Sequence, residues 1–226
     1  MSGILFFIVF ILVMFIILGI ALRLFPKDAS FTIAIGAVIG ANIYNSTAYP
    51  IFIGNFIFGI DSIVYTSFAF CLLFMLIKYG KRDMKIVLYT SLFSIFFTAL
   101  LFFMGNLSQS GYSTELLLRF LFYIASIIAT YFAVLAMAKI FEWLQAKNTN
   151  VYISILISLL VVSLVNSLIY FGISYLLTGN LGNTFFLALI GSYIGKLISS
   201  LLCLVVFAIL TIKKHNKKTP DQCEHN

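Results

Sequence analysis

Residues 189–206 read LIGSYIGKLISSLLCLVV, and the one charge in that run, Lys196, decides how the chain is read. A lysine at the centre of a membrane helix costs about 2.5–3.5 kcal/mol on insertion scales. Either the segment lies in water, or its ammonium faces something other than lipid.

Composition removes the first alternative. Of 226 residues, 62% are hydrophobic and 9% charged, against roughly 25% charged in an ordinary soluble domain. A single water-soluble core could not hide that much apolar surface. The expected class is therefore an all-α integral membrane protein.

Working outward from residue 196, apolar runs long enough to cross a bilayer fall at about 3–22, 31–49, 56–78, 86–105, 115–142, 151–177 and 184–212. This gives a bundle of about seven transmembrane helices. A six-helix core (31–212) follows an extra N-terminal helix with its basic loop (1–30), and a polar tail (213–226) closes the chain. The first run has no basic residue ahead of it, exceeds a signal-peptide core in length and lacks a small-residue cleavage site, so it reads as a retained helix. The breaks carry turn chemistry in Pro26, in GNLSQSGYST, in AKNTN and in TGNLGN. The break near Pro50, Gly54 and Asn55 is the least marked.

Charge fixes an orientation. Arg23 and Lys27, then Lys78, Lys81, Arg82 and Lys85, then Lys147, then Lys213, Lys214, Lys217 and Lys218 fall in alternate loops, and the opposite loops hold no base. The positive-inside rule then places the C-terminus in the cytoplasm and the N-terminus outside, in the cell membrane. The same rule accounts for the net charge of +7 without a nucleic-acid partner. The tail is too short to be a soluble output domain.

Soluble-type catalysis has no footing here. Both histidines, His215 and His225, lie in the tail, and Cys71, Cys203 and Cys223 lack metal-ligand spacing. No phosphate loop, HExxH or nucleophile triad occurs. The chain reads as a non-enzyme with no cofactor and no metal.

Polar side chains in lipid must face one another or a hydrated space. Ser192, Lys196, Ser199, Ser200 and Cys203 follow i, i+4, i+7, i+8 spacing, with Tyr193 three residues before the lysine, so they form one inward stripe. The sixth run repeats this with Ser163, Asn166, Ser167, Tyr170 and Ser174, and the fourth adds Ser91, Ser94 and Thr98. The second run offers Gly36 and Gly40 for close helix approach, then Asn42 and Asn45, while Asp61 and Tyr65 stand one turn apart in the third. Serines on a helix face are most simply packing contacts. Glu115 and Arg119, at i, i+4, read as a local ion pair. Lys196 is different, because a residue near the midplane cannot snorkel to the interface.

The C-terminal half resembles the vitamin uptake transporter family, which includes bacterial queuosine-precursor transporters. The resemblance is carried by RFLFYIASIIATYFAVLAMAKIFEWL (119–144), VSLVNSLIYF (162–171) and GSYIGKLISSL (191–201), and more weakly by ANIYNSTAYP (41–50). It implies six membrane helices, a cytoplasmic C-terminus and a central pocket, as in the substrate-capturing subunits of energy-coupling vitamin transporters. Tyr193 and Lys196 match the family's last-helix pattern. Asn166 stands where the family often has Asp, and Ser163 where it has Asn. Asp61 only approximates the acid that enters the third helix, and Arg119 corresponds loosely to a family arginine.

The expectation is a transporter or substrate-binding membrane subunit for a small polar metabolite, a deazapurine or vitamin first. Its site would comprise Lys196, Tyr193, Asn166, Ser167 and Tyr170, with Asn42, Asn45 and Asp61 on the outer side. Its partners would be the lipid bilayer, the small-molecule substrate and, in some readings, an energising or signalling protein. The alternative is a membrane sensor or assembly module built on the same bundle.

Overall fold

The computed structural model describes residues 2–24, 26–29, 31–33, 35–36, 51–53, 56–58, 61–179 and 183–215. Six long helices account for most of them: α1 (Ser2–Leu24), α2 (Asp61–Tyr79), α3 (Lys81–Ser110), α4 (Thr114–Ala146), α5 (Val151–Thr178) and α6 (Asn183–His215). Between α1 and α2 lies one antiparallel hairpin, β1 (Ile51–Ile53) with β2 (Phe56–Phe58). Residues 31–33 and 35–36 of the second expected run are helical. The rest of that run, with Asn42 and Asn45, lies outside the described residues.

Among the described residues, four segments, Lys81–Gln109, Thr114–Ala146, Val151–Thr178 and Leu189–Ala208, are long and apolar enough to cross a membrane. At about 1.5 Å per residue, each matches or exceeds the roughly 30 Å hydrocarbon layer. Their outward faces are greasy, with Phe93, Leu101, Leu168 and Leu176 exposed, whereas serines, an asparagine and a lysine are buried between helices. That inverted distribution is what lipid as solvent dictates. The protein is an all-α membrane bundle.

Two of the boundaries that differ from the sequence reading have a clear local cause. The third run begins as a helix at Asp61, because Phe56–Phe58 pairs as a strand with Ile51–Ile53 in the register Ile53 opposite Phe56. The segment reads IFI-GN-FIF, and β-rich triplets two residues apart around Gly-Asn are a hairpin signal. The break expected from Gly105 is also late, since α3 continues to Ser110. Asn106 donates to the Phe102 carbonyl (2.7 Å) and Ser108 to that of Gly105 (2.8 Å), so these polar side chains bond to their own helix. The turn then uses Gly111 at φ +73° and Ser113, whose hydroxyl accepts from the Leu116 N–H as an N-cap. Asn150 caps α5 through the Tyr152 N–H, and Gly179 ends it in the left-handed region at φ +64°.

Helix α2 occupies the middle and packs against all five other helices. Its residues from Thr66 to Leu73 are therefore buried on every side, which is why its apolar character has no polar face. The hairpin lies against α1 and α6. At one end of the bundle the bases of separate loops converge. Lys27 pairs with Asp83 (2.8 Å), Lys81 with Glu142 (2.6 Å), and the Lys147 ammonium stands 3.9 Å from the Trp143 ring centroid.

Helix α1 is wedged into this core. Phe15 is fully buried and meets Phe70 edge-on at 5.8 Å, and Phe70 in turn meets Phe207 of α6 at 6.3 Å. In lipid the water-transfer part of a core truncation falls away, leaving the cavity and lost contacts. Phe15→Ala is expected to destabilise the protein by about 2 kcal/mol, seen as an earlier midpoint on titrating detergent micelles with denaturant. An unchanged midpoint would show that α1 is not part of the cooperative core.

Candidate functional site

Lys196 lies thirteen residues into α6, about 20 Å along its axis. It is 3% exposed, and Ser192, Ser199, Ser200 and Cys203 on the same stripe are buried with it. The inward stripe read from the spacing is thus the real interior face of α6. Three of its polar groups close onto their own helix or its neighbour. The Ser199 hydroxyl donates to the Gly195 carbonyl and the Ser200 hydroxyl to the Lys196 carbonyl, while the lysine side chain leaves the helix.

Its ammonium donates to Asn166 Oδ1 at 2.8 Å and to Ser167 Oγ at 3.0 Å, both on α5. It also stands 5.0 Å from the ring centroid of Tyr65 on α2. The Tyr65 hydroxyl reaches the Val162 carbonyl of α5 at a long 3.5 Å. One cation therefore ties together α2, α5 and α6. Each of these partners is neutral. An amide oxygen, a hydroxyl and an aromatic face solvate an ammonium well in a low-dielectric interior.

Of the expected site residues, Lys196, Asn166 and Ser167 come together directly. Tyr170, one turn beyond Asn166, is partly buried and packs edge-on with Phe171 at 5.4 Å. Tyr193 is partly buried three residues before the lysine. Asp61 opens α2 one turn before Tyr65, and its side chain lies outside the described residues, as do Asn42 and Asn45. The fourth run's polar stripe does not join the cluster. Ser94 and Thr98 of α3 donate to carbonyls four residues back, at 2.8 Å each.

Tyr65 is the site residue that the sequence reading passed over. Its one signal was i, i+4 spacing from Asp61 in GIDSIVYT. The expected Glu115–Arg119 pair forms at 2.6 Å with both side chains exposed. It borders a groove of about 410 Å³ between α3 and α4, lined by Phe103, Asn106, Arg119 and Phe120 among others. Among the described residues, no cluster of three or more His, Cys, Asp or Glu could hold a metal ion.

Comparison with protein families, with curated proteins and with solved structures finds no match. The site must be argued from its own chemistry.

Proposed function

We propose that this chain is a multi-pass membrane transporter, or the substrate-binding membrane subunit of one, and that it recognises a small polar metabolite through Lys196. The observation that carries the reading is an ammonium buried amid the helices and held by Asn166, Ser167 and Tyr65. A membrane interior disfavours such a charge, and intramembrane cations of this kind mark substrate or ion pathways. The group offers a strong donor to a carboxylate, phosphate or ring carbonyl. Asn166 supplies both donors and an acceptor for a ligand edge, and the Tyr65 ring supplies a stacking face. A flat heterocycle bearing a carbonyl or an acid fits this set, as does the deazapurine or vitamin class suggested by the family resemblance. The positive-inside orientation, with the basic loops on the cytoplasmic side of the cell membrane, belongs to the same proposal.

The test is a thermal-shift screen on purified protein in detergent, against a panel of deazapurines, vitamins, small carboxylates and phosphates. A binder stabilises the folded form by about 2.7 kcal/mol at a hundred times its dissociation constant. The expected result is a shift with at least one heterocyclic member that disappears in Lys196→Met. A panel in which every shift survives that substitution would remove Lys196 from recognition and the proposal with it.

A further inference from the structure

We infer that the groove between α3 and α4 binds one zwitterionic phospholipid of the phosphatidylethanolamine type, with its phosphate on Arg119, its ammonium on Glu115 and an acyl chain below. The groove holds about 410 Å³, within the roughly 300–1,000 Å³ of small-molecule sites. Residues four apart share a helix face. On α3 that face brings Ala99 and Phe103 into the groove, and on α4 it brings Arg119 and Tyr123. Ala99 is buried at the floor, where a single methyl keeps the two helices from closing the space. Phe103 and Phe120 meet at 5.0 Å between ring centroids and line the wall.

Depth sorts these residues as a phospholipid is sorted. Helix α4 has 33 residues, about 50 Å, so when centred on a hydrocarbon layer of roughly 30 Å it overhangs by about 10 Å at each end. Glu115 stands at its base-free tip, and Arg119 lies about 7.5 Å in from Thr114, at headgroup level. Asn106 stands at a matching level, about 6 Å from the end of α3. Tyr123 and Ala99 lie deeper, in the hydrocarbon. Reading inward, the order is carboxylate, guanidinium and amide, then aromatic and aliphatic groups. The lipid's own order is ammonium, phosphate, ester, then chain.

Charge selects the headgroup. Arg119 and Glu115 are 72% and 74% exposed, and an ion pair that open to solvent adds little to stability. The positive-inside rule does not account for this arginine either, since the loop bases all fall at the other end. Its guanidinium gives one Nη2 hydrogen bond to Glu115 Oε1, and its remaining N–H donors suit phosphate oxygens. Asn106 donates one amide hydrogen to the Phe102 carbonyl and has a second for an ester carbonyl. A purely anionic headgroup would meet the Glu115 carboxylate and be repelled. A zwitterion satisfies both charges, because i, i+4 side chains stand about 5–6 Å apart at Cβ and the headgroup's two charges are separated by two carbons. A primary ammonium also donates hydrogen bonds to the carboxylate, which a choline group cannot. The inference is independent of Lys196, which lies elsewhere in the bundle.

Native mass spectrometry of the purified full chain in detergent tests it. Dioleoyl phosphatidylethanolamine, phosphatidylcholine and phosphatidylglycerol are titrated separately into the parent, Arg119→Gln, Glu115→Gln and, as a control at the basic end, Arg82→Gln. All three substitutions are at exposed positions, and monodisperse elution checks the fold. The parent is expected to bind the ethanolamine lipid about tenfold more tightly than the glycerol lipid, the scale of one hydrogen bond to a charged group, with the choline lipid between them. Arg119→Gln is expected to lose about tenfold for the ethanolamine lipid. Glu115→Gln is expected to bring the ethanolamine and glycerol lipids within about twofold of each other, and Arg82→Gln to match the parent. Equal binding of the two lipids by the parent overturns the site, as does parental binding of the ethanolamine lipid by Arg119→Gln. A dimer that this lipid fails to displace, and that Arg119→Gln dissolves, would assign the groove to a second copy of the chain and overturn it as well.

Discussion

Asn166→Leu is expected to destabilise the folded protein by about 2–3 kcal/mol, the range for removing a hydrogen bond from a buried charged group. Lys196→Met is expected to leave stability within about 1 kcal/mol of the parent. The asymmetry follows from which group is stranded. Truncating Asn166 removes the acceptor 2.8 Å from an ammonium that is 3% exposed, and the buried charge loses that hydrogen bond. Replacing the lysine removes the charge itself, and methionine is an unbranched, adaptable filler for the same volume. The two oxygens released have cheaper exits. Ser167 can adopt the bond to the carbonyl four residues back that Ser163 and Ser174 already make. The double variant is therefore expected to be about as stable as Lys196→Met alone, giving a coupling of about 2 kcal/mol in the cycle. Denaturant titration in a single detergent measures all four corners. Strict additivity of the two single effects would mean that Asn166 does not hold the lysine in the folded state. The predicted pattern also bears on function, because a buried charge that adds little to stability is present for some other reason.

How much of this was legible in the residues alone depends on the range over which each signal acts. The bundle was legible because lipid imposes long apolar runs, and the boundaries of α5 and α6 lie within a few residues of the runs at 151–177 and 184–212. The inward stripe of α6 was legible because helical period alone selects it: Ser192, Lys196, Ser199, Ser200 and Cys203 are buried, and Tyr193 is half-buried. Asn166 and Ser167 were found in the same way, since they lie on the polar face of their own helix.

Tyr65 was noted beside Asp61 but not assigned to the site, and the reason is geometric. Counting backbone rise places Asp61 and its neighbours well to the base-free side of Lys196. Side chains on a helix lean toward its N-terminus, and α6 runs from the base-free end inward, so the long lysine stem carries its ammonium back along the axis to meet the Tyr65 ring. Depth measured between backbone positions misjudges a contact made by a four-carbon stem. The hairpin before α2 was missed for another reason. Ile and Phe triplets satisfy a run-of-apolar-residues test whether they form strand or helix, and only the Gly-Asn between them points to the hairpin.

Asn166→Asp is expected to weaken binding of an anionic or carbonyl-bearing ligand by at least about a hundredfold, close to 2.8 kcal/mol, while leaving the fold intact or tighter. The substitution changes one atom type at the position 2.8 Å from the ammonium and supplies a carboxylate where a neutral amide oxygen stood. An ion pair with charge-assisted geometry then forms in a low-dielectric interior, and a ligand must compete with it for the same donor. Lys196→Met and Asn166→Asp thus reach the same functional endpoint from opposite directions, the first by removing the donor and the second by engaging it. Their stabilities keep the two apart. Lys196→Met stays near the parent, and Asn166→Asp is raised by an amount that a further Lys196→Met substitution reverses, because the aspartate is then buried without its partner. A titration of the best binder from the thermal-shift panel against the parent and both variants decides it. If Asn166→Asp binds as tightly as the parent, the ligand does not use this ammonium. Recognition would then have to lie elsewhere in the bundle, and Lys196 would be left as a structural tie between α2, α5 and α6.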